Sequence, residues 1–261
     1  MKIRIISAII ALAVIIPLLY IGGIPFAIAI GILSLLAYKE VIDLKSDLPM
    51  IVKFVGIISL LLVVYITFDG YSLAFGLSYK SIALSIMLLL IPTLFLGNKY
   101  TTRNAFYLIG TTLILGTFFN TILLIVDINV WVFIYLLIIT IMNDTFAMLI
   151  GKLIGKNKMV PKISPNKTWE GAIAGSLVST IIASIFYLHI INSNAIIFHI
   201  VIITFVLSVV GQIGDLVFSK IKRENGIKDF SGIMPGHGGI LDRLDSIIFV
   251  VLAFIIIFSV I

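Results

Sequence analysis

The sequence predicts an all-α, polytopic helical membrane protein with about nine transmembrane segments and a cytoplasmic N-terminus. Three observations lead there. Hydrophobic residues make up 61% of the 261 positions and charged residues only 11%, whereas soluble domains are nearer a quarter charged. The mean hydropathy is +1.26, and the apolar residues fall in runs that reach the ~20 positions a helix needs to cross the hydrocarbon core. The basic residues, finally, fall in alternate loops, as orientation-setting charges do.

The segments are expected at 4–21, 24–38, 51–68, 81–97, 105–126, 129–150, 171–192, 195–218 and 246–261. The first has a basic start (Lys2, Arg4) but no small-residue cleavage site before Gly22-Gly23-Ile24-Pro25, so it reads as a retained helix rather than a removed signal. The second is short and follows that Gly-Gly-Ile-Pro turn closely, as in a tight hairpin. With the N-terminus inside and the segments alternating, Lys39, Lys45, Lys53, Lys99 and Arg103 lie on the cytoplasmic face. So do Lys152, Lys156, Lys158, Lys162 and Lys167, and the cluster from Lys220 to Arg243; Lys80 alone falls outside. An even number of segments would break that pattern. The chain contains no cysteine, which excludes disulfides, thiolate metal sites and cysteine nucleophiles.

Two regions follow from this organisation. Residues 1–128 form N-terminal membrane helices, a scaffold with possible lipid or dimer contacts. Residues 129–261 form a catalytic membrane region with cytoplasmic loops at 151–170 and 219–245. Positive-inside loops are general to membrane proteins and explain the scattered lysines. They do not explain why these two loops also carry Gly, Pro, Asn and carboxylates, with His237 in the second.

Asp144 lies inside the sixth segment and Asp215 near the end of the eighth, within Gly214-Asp215-Leu216. An Asp at the centre of a spanning helix costs roughly 2.5–3.5 kcal/mol on insertion scales, less towards an interface. Either these residues reach interfacial water or a lysine, or they face a polar cavity open to the cytoplasm; the second reading accounts for both at once. The later loop ends in Pro235-Gly236-His237-Gly238-Gly239-Ile240-Leu241-Asp242-Arg243-Leu244-Asp245. With a helix starting near Leu241, Asp242 and Asp245 share a face of its first turn, where the helix dipole favours negative charge. Capping alone leaves the glycines and His237 unexplained.

Clustered carboxylates with Lys and Arg beside them, and no Cys, suit Mg²⁺ rather than zinc. Phosphoryl and nucleotidyl transfer use such an ion and such cations to hold phosphates. Gly236, Gly238 and Gly239 would let backbone N–H groups approach phosphate oxygens. There is no P-loop and no G-x-S-x-G, which sets aside an ordinary ATPase and a serine hydrolase.

Residues 219–245, from Ser219-Lys220-Ile221-Lys222-Arg223 through Lys228-Asp229 and Ser231 to Asp242-Arg243-Leu244-Asp245, resemble the signature of the phosphatidate cytidylyltransferases (CDP-diacylglycerol synthases). Met234 stands where that family usually has Leu, Ile or Phe. Asn143-Asp144-Thr145-Phe146-Ala147, Gly151, Gly155 and Ser164-Pro165-Asn166-Lys167-Thr168-Trp169-Glu170-Gly171 are similar to the family too, as is Gly214-Asp215-Leu216. The resemblance implies a Mg²⁺ centre, with K⁺ as a second cation, on Asp215 and Asp242, with Asp245 and Asp144 as further ligands or supports. It implies that Lys167, Lys222, Arg223 and Lys228 contact the phosphates of CTP or phosphatidate. Ser219, Gly238, Gly239 and Arg243 complete the expected substrate contacts. His237 either bonds a phosphate oxygen or braces the glycine turn. CTP and phosphatidate are the implied substrates, with membrane lipids around them, a possible homodimer and no nucleic-acid partner. The implied reaction is attack by a phosphatidate oxygen on the α-phosphorus of CTP, releasing pyrophosphate at the cytoplasmic face of the cell membrane. Rival readings are a CTP-dependent lipid-alcohol kinase, which would release CDP, a cation-coupled transporter, which would show inverted repeats and midplane acids, and a non-catalytic scaffold.

Overall fold

The computed structural model describes residue 13 and residues 15–45, 48–66, 79–234 and 238–258. The expected first segment, 4–21, is described only in part, and residues 15–21 are helical. His237 lies outside the described residues, as do Pro235 and Gly236.

Gly22 and Gly23 have positive φ (62° and 53°), a conformation that costs glycine little, so the turn here separates residues 15–21 from helix α1 (Gly23–Asp43). α1 runs past residue 38, where the hydropathy signal faded at Lys39-Glu40, because Glu40 is buried at 2% exposure instead of meeting water. Helix α2 (Met50–Val64) begins after Pro49, which supplies no N–H and stands where none is needed. Helices α3 (Tyr79–Leu90) and α4 (Pro92–Leu96) share one apolar stretch, interrupted where Pro92 removes a backbone donor.

Two expected segments, 105–126 and 129–150, are continuous in helix α5 (Thr102–Ile154), 53 residues long with one non-helical residue, Asn129 (φ −162°, ψ 106°). The Asn129 side chain accepts a hydrogen bond from the Trp131 amide at 2.9 Å, so Asn129 caps a new helical start inside the apparent single helix. Both expected loops are also shorter than the sequence indicated. After α5, strands β1 (Lys158–Val160) and β2 (Ser164–Thr168) pair antiparallel, with Lys158 opposite Thr168. Helix α6 (Trp169–Phe186) then starts on Thr168, whose hydroxyl accepts from the Gly171 amide. Helix α7 (Ile197–Glu224) continues beyond residue 218 and makes 219–224 helical rather than loop. Lys222 and Arg223 in its last turn favour that extension by opposing the dipole of the C-terminus. Helix α8 (Leu241–Phe258) starts where expected.

Among the described residues, five helical stretches are long and apolar enough to cross a membrane by length and composition: Gly23–Asp43, Lys80–Lys99, Thr102–Ile154, Trp169–Ile191 and Ile197–Glu224. This is a helical membrane protein. Its apolar exterior is consistent with lipid as solvent, for Phe95, Leu153, Ile181 and Phe198 are all exposed.

The chain divides into two compact units, Met1–Asp127 with Phe230–Leu241, and Ile128–Asp229 with Asp242–Ile261. In the first, buried hydroxyls and amides satisfy backbone and side-chain acceptors between helices. Tyr38 pairs with Thr112 at 3.0 Å, Tyr65 donates to the Ala27 carbonyl at 2.8 Å, and Asn120 donates to that of Val64 at 2.9 Å. In the second, a polar seam joins the C-terminal half of α5 to α6 and α7. Gln212 donates to Asn143 Oδ1 (2.7 Å), the Ala172 carbonyl (2.9 Å) and Ser176 Oγ (2.9 Å), and Asn143 donates to the Ser208 carbonyl (3.0 Å). Ser179 and Ser208 are paired at 2.8 Å, and Tyr135 and Thr204 at 2.7 Å. Small residues let these helices approach closely. A Cβ on Gly175 would lie 2.7 Å from the Asn143 carbonyl oxygen, and one on Gly171 would lie 2.5 Å from that of Ala147.

Candidate active site

The second unit gathers most of the residues singled out in the sequence. Helix α7 delivers Asp215 at Gly214-Asp215, and the glycine is required by packing. A Cβ at Gly214 would lie 2.7 Å from Phe249 Cβ and 2.8 Å from the Asp245 carbonyl oxygen, both on α8. Leaving it out allows the two backbones to come together just where each carries a carboxylate.

Lys167 on β2 reaches Asp215 Oδ2 with its ammonium at 2.6 Å. The hairpin that presents it is tied to the start of α6 by Asn157, whose amide and side chain donate to Glu170 at 3.1 and 2.8 Å. The Trp169 amide completes the tie by donating to the Asn157 carbonyl at 3.0 Å. Ser219, one turn beyond Asp215, donates to its other oxygen at 3.1 Å. Asp215 is therefore held at both carboxylate oxygens.

One turn further along α7, Lys222 meets Asp242 Oδ1 at 2.7 Å. This pair is buried, with side-chain exposures of 10% and 5%, in contrast to the 26% and 24% of Lys167 and Asp215. Exposed ion pairs contribute about 0–1 kcal/mol. A buried pair is held in place far more strongly, because removing either partner strands the other charge.

Asp245 on α8 accepts from the Ser246 amide at 2.8 Å and interacts electrostatically with Asp215, Lys222 and Asp144. Asp144 in turn interacts with Asp215 and Lys167. Asp144 is exposed. The structure thus brings Asp144, Asp215, Asp242 and Asp245 into one electrostatic neighbourhood with Lys167 and Lys222, drawn from α5, β2, α7 and α8.

Other expected substrate contacts stand differently. Arg223 is exposed, and its guanidinium donates to the carbonyls of Ile163 (3.3 Å) and Ile227 (3.1 Å), bracing the hairpin turn and the end of α7. Lys228 and Arg243 are exposed. Gly238 and Gly239 belong to the first unit. There the Gly238 and Met234 backbones exchange two hydrogen bonds (2.9 and 3.2 Å), and Gly238 has φ of 85°, which selects glycine.

Sequence reasoning missed Glu40 of α1. It accepts from Ser231 Oγ at 2.5 Å and from the amides of Ile240 and Leu241 at 2.8 and 2.9 Å. An acid two positions past an expected apolar segment was the available signal, and it reads as an ordinary helix-end charge until its partners are seen.

A hard divalent cation suits this donor set chemically. The donors are carboxylate oxygens, and four carboxyl groups (Asp144, Asp215, Asp242 and Asp245) stand with two ammonium groups, which sit on Asp215 and Asp242. As the side chains stand, no three acidic or histidine residues among those described enclose a single point.

The family model described as Cytidylyltransferase family matches residues 2–261. Phosphatidate cytidylyltransferase of Staphylococcus haemolyticus is 34% identical over 252 residues, 96% of either chain. The protein of that name from Staphylococcus saprophyticus is 35% identical over 254 residues, again 96% of either chain. The one from Bacillus subtilis is 35% identical over 257 residues, 96% of this chain and 94% of the other.

Proposed function

Because the chain belongs to the cytidylyltransferase family, we propose that it is a phosphatidate cytidylyltransferase, converting CTP and phosphatidate to CDP-diacylglycerol and pyrophosphate. It is a nucleotidyltransferase of phospholipid biosynthesis. The observation that carries the reading is the juxtaposition of Lys167–Asp215 and Lys222–Asp242 with Asp144 and Asp245. Carboxylates that can hold a cation and cations that can hold phosphates stand side by side, on a chain similar over nearly its whole length to phosphatidate cytidylyltransferases.

An oxygen of the phosphatidate monoester forms the new bond to the α-phosphorus of CTP, and the bond from that phosphorus to the β-phosphate bridging oxygen breaks. A phosphate monoester is largely ionised at neutral pH, so the nucleophile needs no strong general base. The protein's share is then positioning and charge neutralisation. In this reading Lys167, Lys222, Arg223 and Lys228 bind the phosphates, Ser219 holds Asp215 in orientation, and Gly238 and Gly239, with Arg243 and His237, belong to the substrate-binding signature. Asp215 and Asp242, supported by Asp144 and Asp245, are the residues that would hold Mg²⁺, with K⁺ as a second cation. A bound Mg²⁺ there would neutralise charge on the triphosphate and the departing pyrophosphate. Purified protein in detergent, given CTP, phosphatidate and Mg²⁺, is expected to form CDP-diacylglycerol and pyrophosphate in equal amounts. Release of CDP in place of pyrophosphate would identify a lipid kinase instead.

The finer membrane arrangement belongs to the same proposal: about nine spans, N-terminus inside, the active site on the cytoplasmic face of the cell membrane, and a homodimer. The span count and orientation are supported by the positive-inside distribution of every Lys and Arg except Lys80, while the homodimer rests on the family resemblance alone. Single cysteines at Asn157 and Asn225 should react with an impermeant thiol reagent only from the cytoplasmic side. One at Ser72, outside the described residues, should react only from the opposite side. A reversal at any of these positions would mean that a segment has been miscounted.

A further inference from the structure

Glu40 is an acid with no place in the chemistry above, yet it is among the most enclosed charged side chains described, at 2% exposure. Each of its partners lies in the glycine-rich signature or at the start of α8. Ser231 Oγ donates to Oε1 at 2.5 Å and the Ile240 amide donates to the same oxygen at 2.8 Å, while the Leu241 amide donates to Oε2 at 2.9 Å. Gly239 packs directly on the carboxylate, since a Cβ there would lie 2.5 Å from Oε1 and 2.7 Å from Oε2.

The first amides of a helix have no partner within it and carry partial positive charge. α8 begins at Leu241 without a local capping side chain in its sequence: Gly238, Gly239 and Ile240 precede it. Glu40 takes that role from 200 positions upstream, pinning Ile240 and Leu241 by their amides and Ser231 by its hydroxyl. Asp242 is the next residue along the same helix. The bonds to Glu40 hold the two peptide units that end at Ile240 and Leu241, so the backbone is fixed up to the residue immediately before Asp242.

We propose that Glu40 is a positioning residue for the reaction: its carboxylate caps α8, anchors the signature at Ser231 and Gly239, and thereby sets the orientation of Asp242. This inference rests on the cytidylyltransferase reading for its effect on turnover, and on nothing but the capping geometry for its effect on the backbone. The two can be tested apart. A carboxylate is required because all three of its neighbours are donors. In Glu40→Gln one end of the side chain becomes a donor facing a donor, whereas Glu40→Asp keeps the charge but retracts it by one methylene.

Hydrogen exchange on the full-length protein in detergent micelles reads the cap directly. Glu40→Gln should speed exchange at the Ile240 and Leu241 amides by about tenfold or more, with α6 unchanged. In the same preparations, kcat per folded molecule should fall about tenfold with little change in KM for CTP, the signature of a lost orientation rather than lost binding. Glu40→Asp should restore part of both, and Ser231→Ala should produce a smaller change of the same kind. Exchange at Ile240 and Leu241 equal to that of the unaltered protein overturns the cap. Faster exchange with unchanged kcat overturns the positioning role and leaves Glu40 structural. If Glu40→Gln does not fold, Glu40→Asp and Ser231→Ala decide by the same two readings, and no change in either measurement overturns the proposal. Absence of CDP-diacylglycerol synthesis by the unaltered protein would overturn the assigned reaction, while the exchange result would still judge the cap.

Discussion

Replacing Asp215 by Asn is expected to reduce turnover by about 10²-fold or more, by analogy with the loss of one electrostatic stabiliser of a transition state. The substitution keeps size and removes charge. It takes from Lys167 the carboxylate oxygen it meets at 2.6 Å and from the proposed Mg²⁺ centre a ligand. Packing should survive, because Asp215 is a quarter exposed and Ser219 can still donate to the remaining carbonyl oxygen. Asp242→Asn should act in the same direction. Lys80→Ala, far along the sequence and outside the proposed cytoplasmic face, should change turnover little. The decisive measurement is rate against Mg²⁺ concentration for each variant, with folding followed separately. Near-normal rates and Mg²⁺ dependence in both Asn variants would remove these residues from the centre even if the protein makes CDP-diacylglycerol.

The second large effect is on stability. Lys222→Met keeps the apolar stem but deprives the buried Asp242 carboxylate of the ammonium at 2.7 Å. Breaking a buried pair from one side costs about 3–5 kcal/mol, because an uncompensated charge is left behind. Replacing both members costs much less, since neither charge then needs a partner. The double variant Lys222→Met, Asp242→Asn should therefore recover most of the stability lost by Lys222→Met alone, measured by thermal or denaturant unfolding in detergent. It should not recover turnover, because the proposed cation ligand is also gone. Equal stabilities of the single and double variants would show that the charge left on Asp242 is not what destabilises Lys222→Met. Recovery of activity in the double variant would count against Asp242 as a ligand.

Comparison of the two residue pairs explains why the site was partly legible in advance. Asp144, Asp215, Asp242 and Asp245 stand out by being acids in apolar surroundings or at a helix start, a property that hydropathy along the chain reveals. Which cation meets which acid is different. Lys167 and Asp215 are 48 positions apart, and Lys222 and Asp242 are 20 apart across a loop. No local periodicity relates members of either pair. Their meeting depends on the hairpin fastened by Asn157 and Glu170 and on the close approach allowed by Gly214.

The sequence by itself determined that this is a helical membrane protein, and where its apolar stretches lie, because transfer from water to lipid is summed over composition and needs no knowledge of partners. It also marked the acids, the basic loops and the glycine-rich signature. Only the tertiary structure decided the ends of the helices and the pairing of the charges. Glu40 remained helical past the apolar run because three donors met it, and α7 ran on to Glu224 with Lys222 buried on Asp242. Asn129, whose side chain caps the residues after it, broke α5 at one residue. In each case a polar group's cost was set by a partner, and for Glu40 and Lys222 that partner lies many residues away, where the sequence carries no local trace of it.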